Sequence, residues 1–295
     1  MRYGIALPSL RDGATAEGIA AAAETAERLG WDSVWTTDHV LVETDSAEEY
    51  GTIFDVITTL AWVGARHSRI RLGTSVIVVP MRNAVVLAKE LATLDALTGG
   101  RVIAGVGVGW DRAEFGNLGV ADRFRVRGAY LDETIRLWRH LWSGAPPPFE
   151  GRFHPLDDYV FGPLPAQGGG LPIWIGGRSE PALRRAGRLA DGYHSSQAGP
   201  AQWAERLPIV RAAAEAAGRP MPTLSARVRV RFGDPPASGY ALAGGPEAMR
   251  HDVAAFARLG VELLVLVFDE TDPGRVVAAM ERFDEEVVRS AAEGQ

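Results

Sequence analysis

The chain contains no cysteine among its 295 residues. This absence excludes disulfide bonds, thiolate metal ligands and a cysteine nucleophile. Lysine is almost as scarce, because only Lys89 among the 31 basic residues is a lysine. An aldolase that works through a Schiff base needs a lysine inside its site. Lys89 falls on a predicted helix, where it is poorly placed for that chemistry.

Long apolar runs are also missing, since no stretch approaches the roughly 20 apolar residues that a membrane span needs. Residues 1–7 hold no apolar run long enough for an export signal, so we expect a soluble, cytoplasmic protein. The net charge of −6 argues against a general affinity for nucleic acid. Because 46% of the residues are hydrophobic and no long polar tract intervenes, residues 1–295 are expected to fold as one domain.

Strand-like and helix-like segments alternate along the chain. The predicted strands are residues 2–8, 33–37, 69–79, 101–107, 172–176, 192–195, 223–232 and 261–268. Most are short, rich in β-branched or aromatic residues and bounded by glycine or proline, and amphipathic helical segments separate them. This alternation predicts an α/β fold, a (β/α)8 TIM barrel. An open doubly wound sheet would give the same alternation and stays open at this point.

Two longer loops interrupt the alternation. Residues 110–128 follow the fourth predicted strand, and residues 143–170, rich in proline and glycine, form an insertion before the fifth strand. Within this insertion, residues 149–153 and 159–161 are candidates for a small hairpin. Long loops in a compact domain are usually functional, so these two loops and the 233–245 connection are expected to select the substrate.

Polar residues end the second predicted strand and small residues interrupt the third. TIM barrels build their active sites at the C-terminal ends of the strands, where Asp38 and His39 are found. An adjacent carboxylate and imidazole can hold a ring, transfer a proton or bind metal. In the third strand, residues 73–75 are Gly-Thr-Ser, which indicates either a bulge beside a ligand or tight packing against a neighbour.

Glycines end the fourth and fifth predicted strands. Gly105, Gly107 and Gly109 alternate, so that bare backbone on one face could lie against a flat ring; this spacing differs from the dinucleotide-binding fingerprint. Residues 176–179 are Gly-Gly-Arg-Ser at the start of a predicted helix. Backbone N–H groups at a helix N-terminus, together with an arginine, favour phosphate binding.

The remaining candidate residues carry less information. His194, on the sixth predicted strand, either lines a substrate pocket or is a structural, solvent-facing histidine. Arg123, Arg125 and Arg127 could meet an acidic ligand, although such a cluster is more often a solvated face. The six histidines show no metal-ligand spacing, so no metal site is predicted.

Taken in order, these segments resemble the bacterial luciferase-like superfamily of flavin and deazaflavin oxidoreductases. The segments that carry the resemblance are residues 37–40, 71–76, 87–95, 99–101, 105–110 and 175–179. Each segment alone is weak evidence for the family, but the ordered set spans the chain and is specific for it. The resemblance implies a (β/α)8 barrel with an insertion before the fifth strand, which agrees with the long loop found there.

The resemblance also implies roles for individual residues. His39 and Asp38 would act in catalysis, with His39 as the proton donor or acceptor. Trp110 and, from its place on the sixth predicted strand, His194 are the candidates for the substrate pocket. The cofactor-binding residues that it implies are Asp38, Thr74, Ser75, Val76, Gly107, Val108, Gly109, Trp110, Gly176, Gly177, Arg178 and Ser179. Among these, Ser75–Val76 would form a cis peptide behind the ring, and residues 176–179 would hold the phosphate.

Two cofactors fit the resemblance. Asp-His after the second strand and Thr-Ser-Val in the third are more similar to the branch that uses the deazaflavin coenzyme F420, whereas many members that use flavin mononucleotide (FMN) have Glu-His-His at the first position. We therefore predict F420-dependent hydride transfer to or from a small organic substrate. The resemblance also implies a homodimer.

Three alternatives stay open. An FMN-dependent monooxygenase would use reduced FMN, made by a separate reductase, and O2. A cofactor-free barrel hydrolase or lyase would need acids at the strand ends, where Asp38, Glu43 or Glu114, and Asp269 are the candidates. A barrel that binds flavin without turnover is the third.

Overall fold

The computed structural model describes residues 1–11 and 14–290. Ten strands occur in this part of the chain: β1 Arg2–Ala6, β2 Ser33–Thr36, β3 Arg71–Thr74, β4 Ile77–Val78, β5 Val102–Gly107, β6 Ile173–Gly176, β7 Gly192–Ser196, β8 Thr223–Phe232, β9 Ala241–Gly244 and β10 Leu263–Phe268. The α-helices are α1 Ala16–Leu29, α2 Ala47–Tyr50, α3 Val56–Gly64, α4 Ala84–Thr98, α5 Arg112–Asn117, α6 Arg123–Trp142, α7 Glu180–Leu189, α8 Pro200–Ala216, α9 Pro246–Arg258 and α10 Pro273–Phe283.

Eight of the strands form a closed parallel barrel. Its order is β1, β2, β3, β5, β6, β7, β8 and β10, and β10 pairs with both β8 and β1 to close the ring. The predicted (β/α)8 TIM barrel is therefore confirmed, and the open doubly wound sheet is wrong. The two short strands left over, β4 and β9, pair only with β5 and β8.

Local sequence explains where several helices begin and end. The side chain of Thr15 accepts the N–H of Gly18 at the start of α1, and Asn83 caps α4 in the same way. At the other ends, Gly30 and Gly99 adopt the left-handed conformation, with φ of 76° and 68°, which favours glycine. These two helices therefore end before the chain enters the next strand.

Apolar side chains fill two layers. Inside the barrel the packed cluster consists of Trp35, Ile103, Trp174, Leu263 and Val265. A larger apolar layer lies between the strands and the surrounding helices. Because this cluster fills the barrel interior in the described part of the chain, a ligand on the barrel axis is expected at the C-terminal mouth.

Three predicted segments differ from the structure in detail. The predicted strand 69–79 is divided into β3 and β4 around Ser75 and Val76, and the predicted loop 110–128 contains α5 and the start of α6. The hairpin prediction is also wrong, because Phe149 bridges to Leu156 rather than to residues 159–161. The insertion before the fifth barrel strand is confirmed, since α6 ends at Trp142 and β6 begins at Ile173. No helix within the described residues is long and apolar enough to cross a membrane.

Candidate active site

His39 lies at the mouth of the barrel, three residues beyond the end of β2, and is paired with a buried carboxylate. Its Nδ1 is 2.9 Å from Oε2 of Glu114, in α5, and both side chains are buried. The other carboxylate oxygen of Glu114 accepts the backbone N–H groups of Val40, at 2.5 Å, and Leu41, at 3.3 Å. Glu114 thus holds the loop after β2 and the histidine ring together.

The charge of Glu114 determines which nitrogen of His39 carries the proton. Burial alone would raise the pKa of Glu114, but the hydrogen bonds from His39 and from the Val40 and Leu41 N–H groups outweigh it, so the pKa is lowered. The side chain is therefore a carboxylate and accepts a proton from Nδ1. Nε2 has no partner within the described residues, and it can accept or donate a proton at the mouth.

Aromatic side chains surround His39 at the mouth. The ring of Tyr50 lies 4.3 Å from the imidazole, centroid to centroid, and that of Trp110 lies 5.8 Å away. Trp110 follows β5, as predicted, and is 56% exposed. A half-exposed indole beside a buried histidine offers a flat apolar surface for a ring or a substrate.

Asp38 is held by the protein's own groups. Its Oδ2 accepts the N–H of Val78 at 2.9 Å and Nε of Arg82 at 3.1 Å. Its Oδ1 lies 2.5 Å from Nη2 of Arg82, which completes a two-point ion pair. This ion pair fixes the chain beside His39, and the roles of Asp38 in catalysis and cofactor binding stay predictions.

A kink formed by Ser75 and Val76 separates β3 from β4. The peptide bond between these two residues is cis, as the resemblance implied. Immediately before the kink, the hydroxyl of Thr74 donates to the carbonyl of Gly105 at 2.6 Å. The Oγ of Ser75 lies 2.8 Å from Nε2 of His194, and its carbonyl accepts Nη1 of Arg227 at 3.3 Å. Hydrogen bonds with β5, β7 and β8 therefore hold the kink, together with the bond from the N–H of Ser75 to the carbonyl of Thr36 in β2.

His194 lies below the mouth, within the barrel. Its exposed fraction is 2%, its ring is stacked on Trp35 at 4.8 Å, and Nδ1 lies 3.0 Å from Oγ of Ser225. Both ring nitrogens are therefore occupied. The expectation of a solvent-facing histidine is wrong, and the buried position gives His194 no surface for a substrate.

The glycines of β5 and β6 make room for the Ser75–Val76 kink. A Cβ at Gly105 would lie 1.8 Å from the carbonyl oxygen of Thr74. One at Gly107 would lie 2.7 Å from Cγ2 of Val76, and one at Gly176 would lie 2.8 Å from its Cγ1. These contacts are too short to exist. The glycines are therefore needed for the protein's own packing, and their contact with a cofactor stays a prediction.

The 176–179 loop joins β6 to α7 and fits a phosphate group. Gly177 has φ of +128°, and its carbonyl accepts the hydroxyl of Tyr193 at 3.0 Å. Ser179, the first flanking residue of α7, makes no side-chain capping bond. In the described part of the chain, the N–H groups of Arg178 and Ser179 have no backbone acceptor. Free donors, a helix N-terminus and the exposed Arg178 provide what a phosphate needs.

Two of the candidate acids and the lysine that other chemistries would need are engaged by the protein's own groups. Among the acids considered for a cofactor-free hydrolase or lyase, Asp38 is paired with Arg82, and Glu114 with His39. Lys89 lies on α4, where its ammonium group donates to the carbonyl of Gly162. The described residues contain no group of three acidic or histidine side chains that could hold a metal ion.

Sequence reasoning missed three residues of this site, Tyr50, Arg82 and Arg227, and also the pairing of Glu114 with His39. Their partners are 11 to 152 residues away along the chain, so spacing gave no signal for most of them. One signal was present, because β8 reads Arg-Val-Arg-Val-Arg from Arg227. Alternate arginines on a barrel strand place positive charge on one face.

Three comparisons place this site among known proteins. The model of the luciferase-like monooxygenase family matches residues 1–292. An F420-dependent glucose-6-phosphate dehydrogenase from Kineococcus radiotolerans is 31% identical over 277 residues, covering 88% of this chain and 81% of that protein. An F420-dependent secondary alcohol dehydrogenase, solved in complex with an F420–acetone adduct, has a TM-score of 0.82 at 19% identity and covers 97% of this chain and 98% of its own. A monooxygenase from Streptomyces bottropensis has a TM-score of 0.79 at 23% identity, covering 99% and 100%.

A closed parallel barrel with a histidine–carboxylate pair at its C-terminal mouth defines a (β/α)8-barrel enzyme. The match of the family model over residues 1–292 and the relative that is 31% identical show the family. The chain belongs to the luciferase-like monooxygenase family. The family and the oxidoreductase class predicted from the sequence are confirmed. The two solved structures, both below 25% identity, support the fold alone.

Proposed function

We propose that this protein is an oxidoreductase that uses coenzyme F420 to transfer a hydride to or from a small organic substrate. The observation that carries the proposal is the buried His39–Glu114 pair at the mouth. Oxidation of an alcohol releases a proton together with a hydride, and reduction of a carbonyl takes up both. A histidine whose Nε2 is free at the site serves as the proton acceptor or donor for either direction.

Residues of three barrel loops would hold the cofactor. Coenzyme F420, when bound, supplies the hydride acceptor or donor. The Ser75–Val76 kink would support the back of its ring, and Trp110 would lie along an edge. Arg178 and Ser179 would donate to its phosphate. His39, oriented by Glu114, would then accept the hydroxyl proton of an alcohol substrate at Nε2.

The choice of F420 over FMN rests on the relatives. The dehydrogenase from Kineococcus radiotolerans and the solved secondary alcohol dehydrogenase are both F420-dependent. The Streptomyces bottropensis monooxygenase has the same fold, so the fold does not choose between the cofactors. The alternative is therefore an FMN-dependent monooxygenase that receives reduced FMN from a separate reductase.

The first experiment is a titration of the purified protein with F420 and with FMN, following the fluorescence of its eight tryptophans. We expect tight binding of F420 and weak binding of FMN. The second step is turnover with glucose 6-phosphate and with a small secondary alcohol, measured as reduction of F420 without uptake of O2. Binding of FMN alone, with substrate-dependent consumption of O2, would replace this proposal by the monooxygenase.

We also propose that the chain forms a homodimer and works in the cytoplasm on a small-molecule substrate. The resemblance to the family supports the dimer, and the exposed Leu97 on α4 and Val160 in the insertion are candidate contact residues. Light scattering of the purified protein tests the dimer, and the mass of a single chain would contradict it.

A further inference from the structure

Arg227 lies on the inner side of β8, one layer above the core of the barrel. Ser225 faces the interior, because its Oγ contacts the buried His194. Alternate residues of a strand face the same side, so Arg227 faces inward too. Its Nη1 reaches the carbonyl of Ser75 at 3.3 Å. Since β3 and β8 are four strands apart in the ring, this side chain extends across the mouth.

The carboxylates nearest to Arg227 in the mouth form their ion pairs with two other arginines. Glu49 lies 3.8 Å from Arg11 and 3.6 Å from Arg229. Asp269 also bridges these two arginines, at 3.5 Å and 3.7 Å. Within the described residues Arg227 forms no ion pair. Three arginines therefore share two carboxylates, so the cluster keeps a formal net charge of about +1, and Arg227 is the arginine in it for which no ion pair occurs among the described residues.

The guanidinium of Arg227 is close to the residue proposed to move the proton. Its Nη1 reaches the carbonyl of Ser75, and Asp38, the neighbour of His39 in the chain, accepts the N–H of Val78 three residues after Ser75. Burial lowers the pKa of Arg227, because a cation out of bulk water is poorly solvated. A partly buried, unpaired guanidinium that faces a ligand site gains most from an anionic ligand.

We propose that Arg227 binds a negatively charged group of the substrate, a carboxylate or a phosphate, beside the carbon that exchanges the hydride. This inference rests on the proposed function and adds the substrate class: a small hydroxy acid or sugar phosphate, or its carbonyl counterpart. The substrate hydroxyl lies at Nε2 of His39, and the anionic group lies at the guanidinium. Arg227 is therefore a specificity-determining residue.

Matched substrate pairs test the proposal and distinguish its two sources of negative charge. Glucose 6-phosphate is compared with glucose, and lactate with 2-propanol, by the reduction of F420. We expect the wild-type enzyme to prefer the charged member of at least one pair in kcat/KM. Arg227→Met should reduce that preference by about 10- to 100-fold, the usual worth of a hydrogen bond to a charged group, and Arg227→Lys should restore part of it.

Arg231→Gln is the matched control, because Arg231 lies on the same strand but is exposed, and it should leave the preference unchanged. An unaltered preference in Arg227→Met would overturn the proposal. So would a loss of F420 affinity in this variant without a change in preference, since the arginine would then serve the cofactor.

A binding experiment separates this proposal from the choice of cofactor. The melting temperature of the protein is measured with inorganic phosphate and with acetate, before and after loading with F420. The subsite is supported if either anion raises the melting temperature, if this rise persists with F420 bound, and if it is absent in Arg227→Met. If F420 does not bind, a rise that depends on Arg227 still supports an anion subsite while the proposed function fails. If neither anion gives an Arg227-dependent rise, the subsite is refuted whether or not F420 binds.

Discussion

Glu114 controls the proton on His39 through the geometry of its two oxygens. One oxygen accepts the backbone N–H groups of Val40 and Leu41, and the other faces Nδ1 of His39. In Glu114→Gln the amide oxygen must stay with the two N–H donors. The amide NH2 then faces Nδ1, which becomes an acceptor, and the proton moves to Nε2. A histidine in that form cannot accept the proton of an alcohol.

We therefore predict that Glu114→Gln lowers kcat for alcohol oxidation by about 10²- to 10⁴-fold, the usual range for general acid–base catalysis, with little change in F420 affinity. Nitrogen NMR of the His39 ring should show the exchanged tautomer. Glu133→Gln is the control, because Glu133 is equally buried and accepts three backbone N–H groups in the insertion. An unchanged tautomer with unchanged kcat in Glu114→Gln would exclude the positioning role.

Sequence reasoning placed individual residues correctly where they directly follow a predicted strand. His39 and Trp110 lie at the mouth as predicted. Asp38 lies there too, but its oxygens are engaged by Arg82, 44 residues further along the chain. Such pairings depend on which loops the closed barrel brings together, and local sequence carries no record of them. The same reason explains why Glu114 was considered only as a candidate acid and not as the partner of His39.

At the scale of elements, the Ser75–Val76 kink and the glycines of β5 form one packed unit. We predict that Gly107→Ala destabilises the free protein by about 1 to 3 kcal/mol, the usual cost of overpacking, because its Cβ would meet Val76 at 2.7 Å. Urea unfolding measures this change. Gly116→Ala in α5, where a Cβ meets no atom within 4 Å, should be neutral or stabilising by up to about 1 kcal/mol.

The same pair of variants distinguishes two roles of Gly107. If Gly107→Ala kept the stability of the free protein and lost only cofactor binding, the glycine would serve the ring, as the sequence suggested. The alternation of glycines in the sequence cannot distinguish packing from ligand binding. A neighbouring side chain and a flat ligand both require a residue without a Cβ at that position. The short elements within loops, α5 and β9, were missed for a related reason: they lack the length that gives a clear period.

At the scale of the whole molecule, the barrel could be predicted because every strand–helix pair repeats the same pattern and closure follows from their number. The hydrogen bonds inside the barrel could not be predicted, because the polar residues that form them come from different strands. His194, Ser75 and Ser225 form a buried hydrogen-bonded row. A histidine in such a row links the stability of the entire fold to pH.

Burial lowers the pKa of His194 from 6.5 to about 3, with a smaller contribution from the charge of Arg227. The unfolded chain therefore binds a proton at His194 near pH 6.5, whereas the folded protein resists it until about pH 3. Between these values the unfolded state holds more protons, so the free energy of unfolding decreases as the pH falls. The contribution of one such group reaches about 1.4 kcal/mol per pH unit.

We predict that His194→Asn removes this contribution and makes the pH dependence of stability shallower between pH 6.5 and 5. Urea unfolding across this range measures it as a difference between the wild-type and variant slopes. The pKa of His154 is also lowered by burial, but His154 is present in both proteins and cancels in the difference. His251→Asn, at an exposed histidine, controls for the loss of an imidazole. Parallel slopes for wild type and His194→Asn would mean that His194 accepts a proton in the folded barrel, and its row with Ser75 and Ser225 would then have to tolerate a charge.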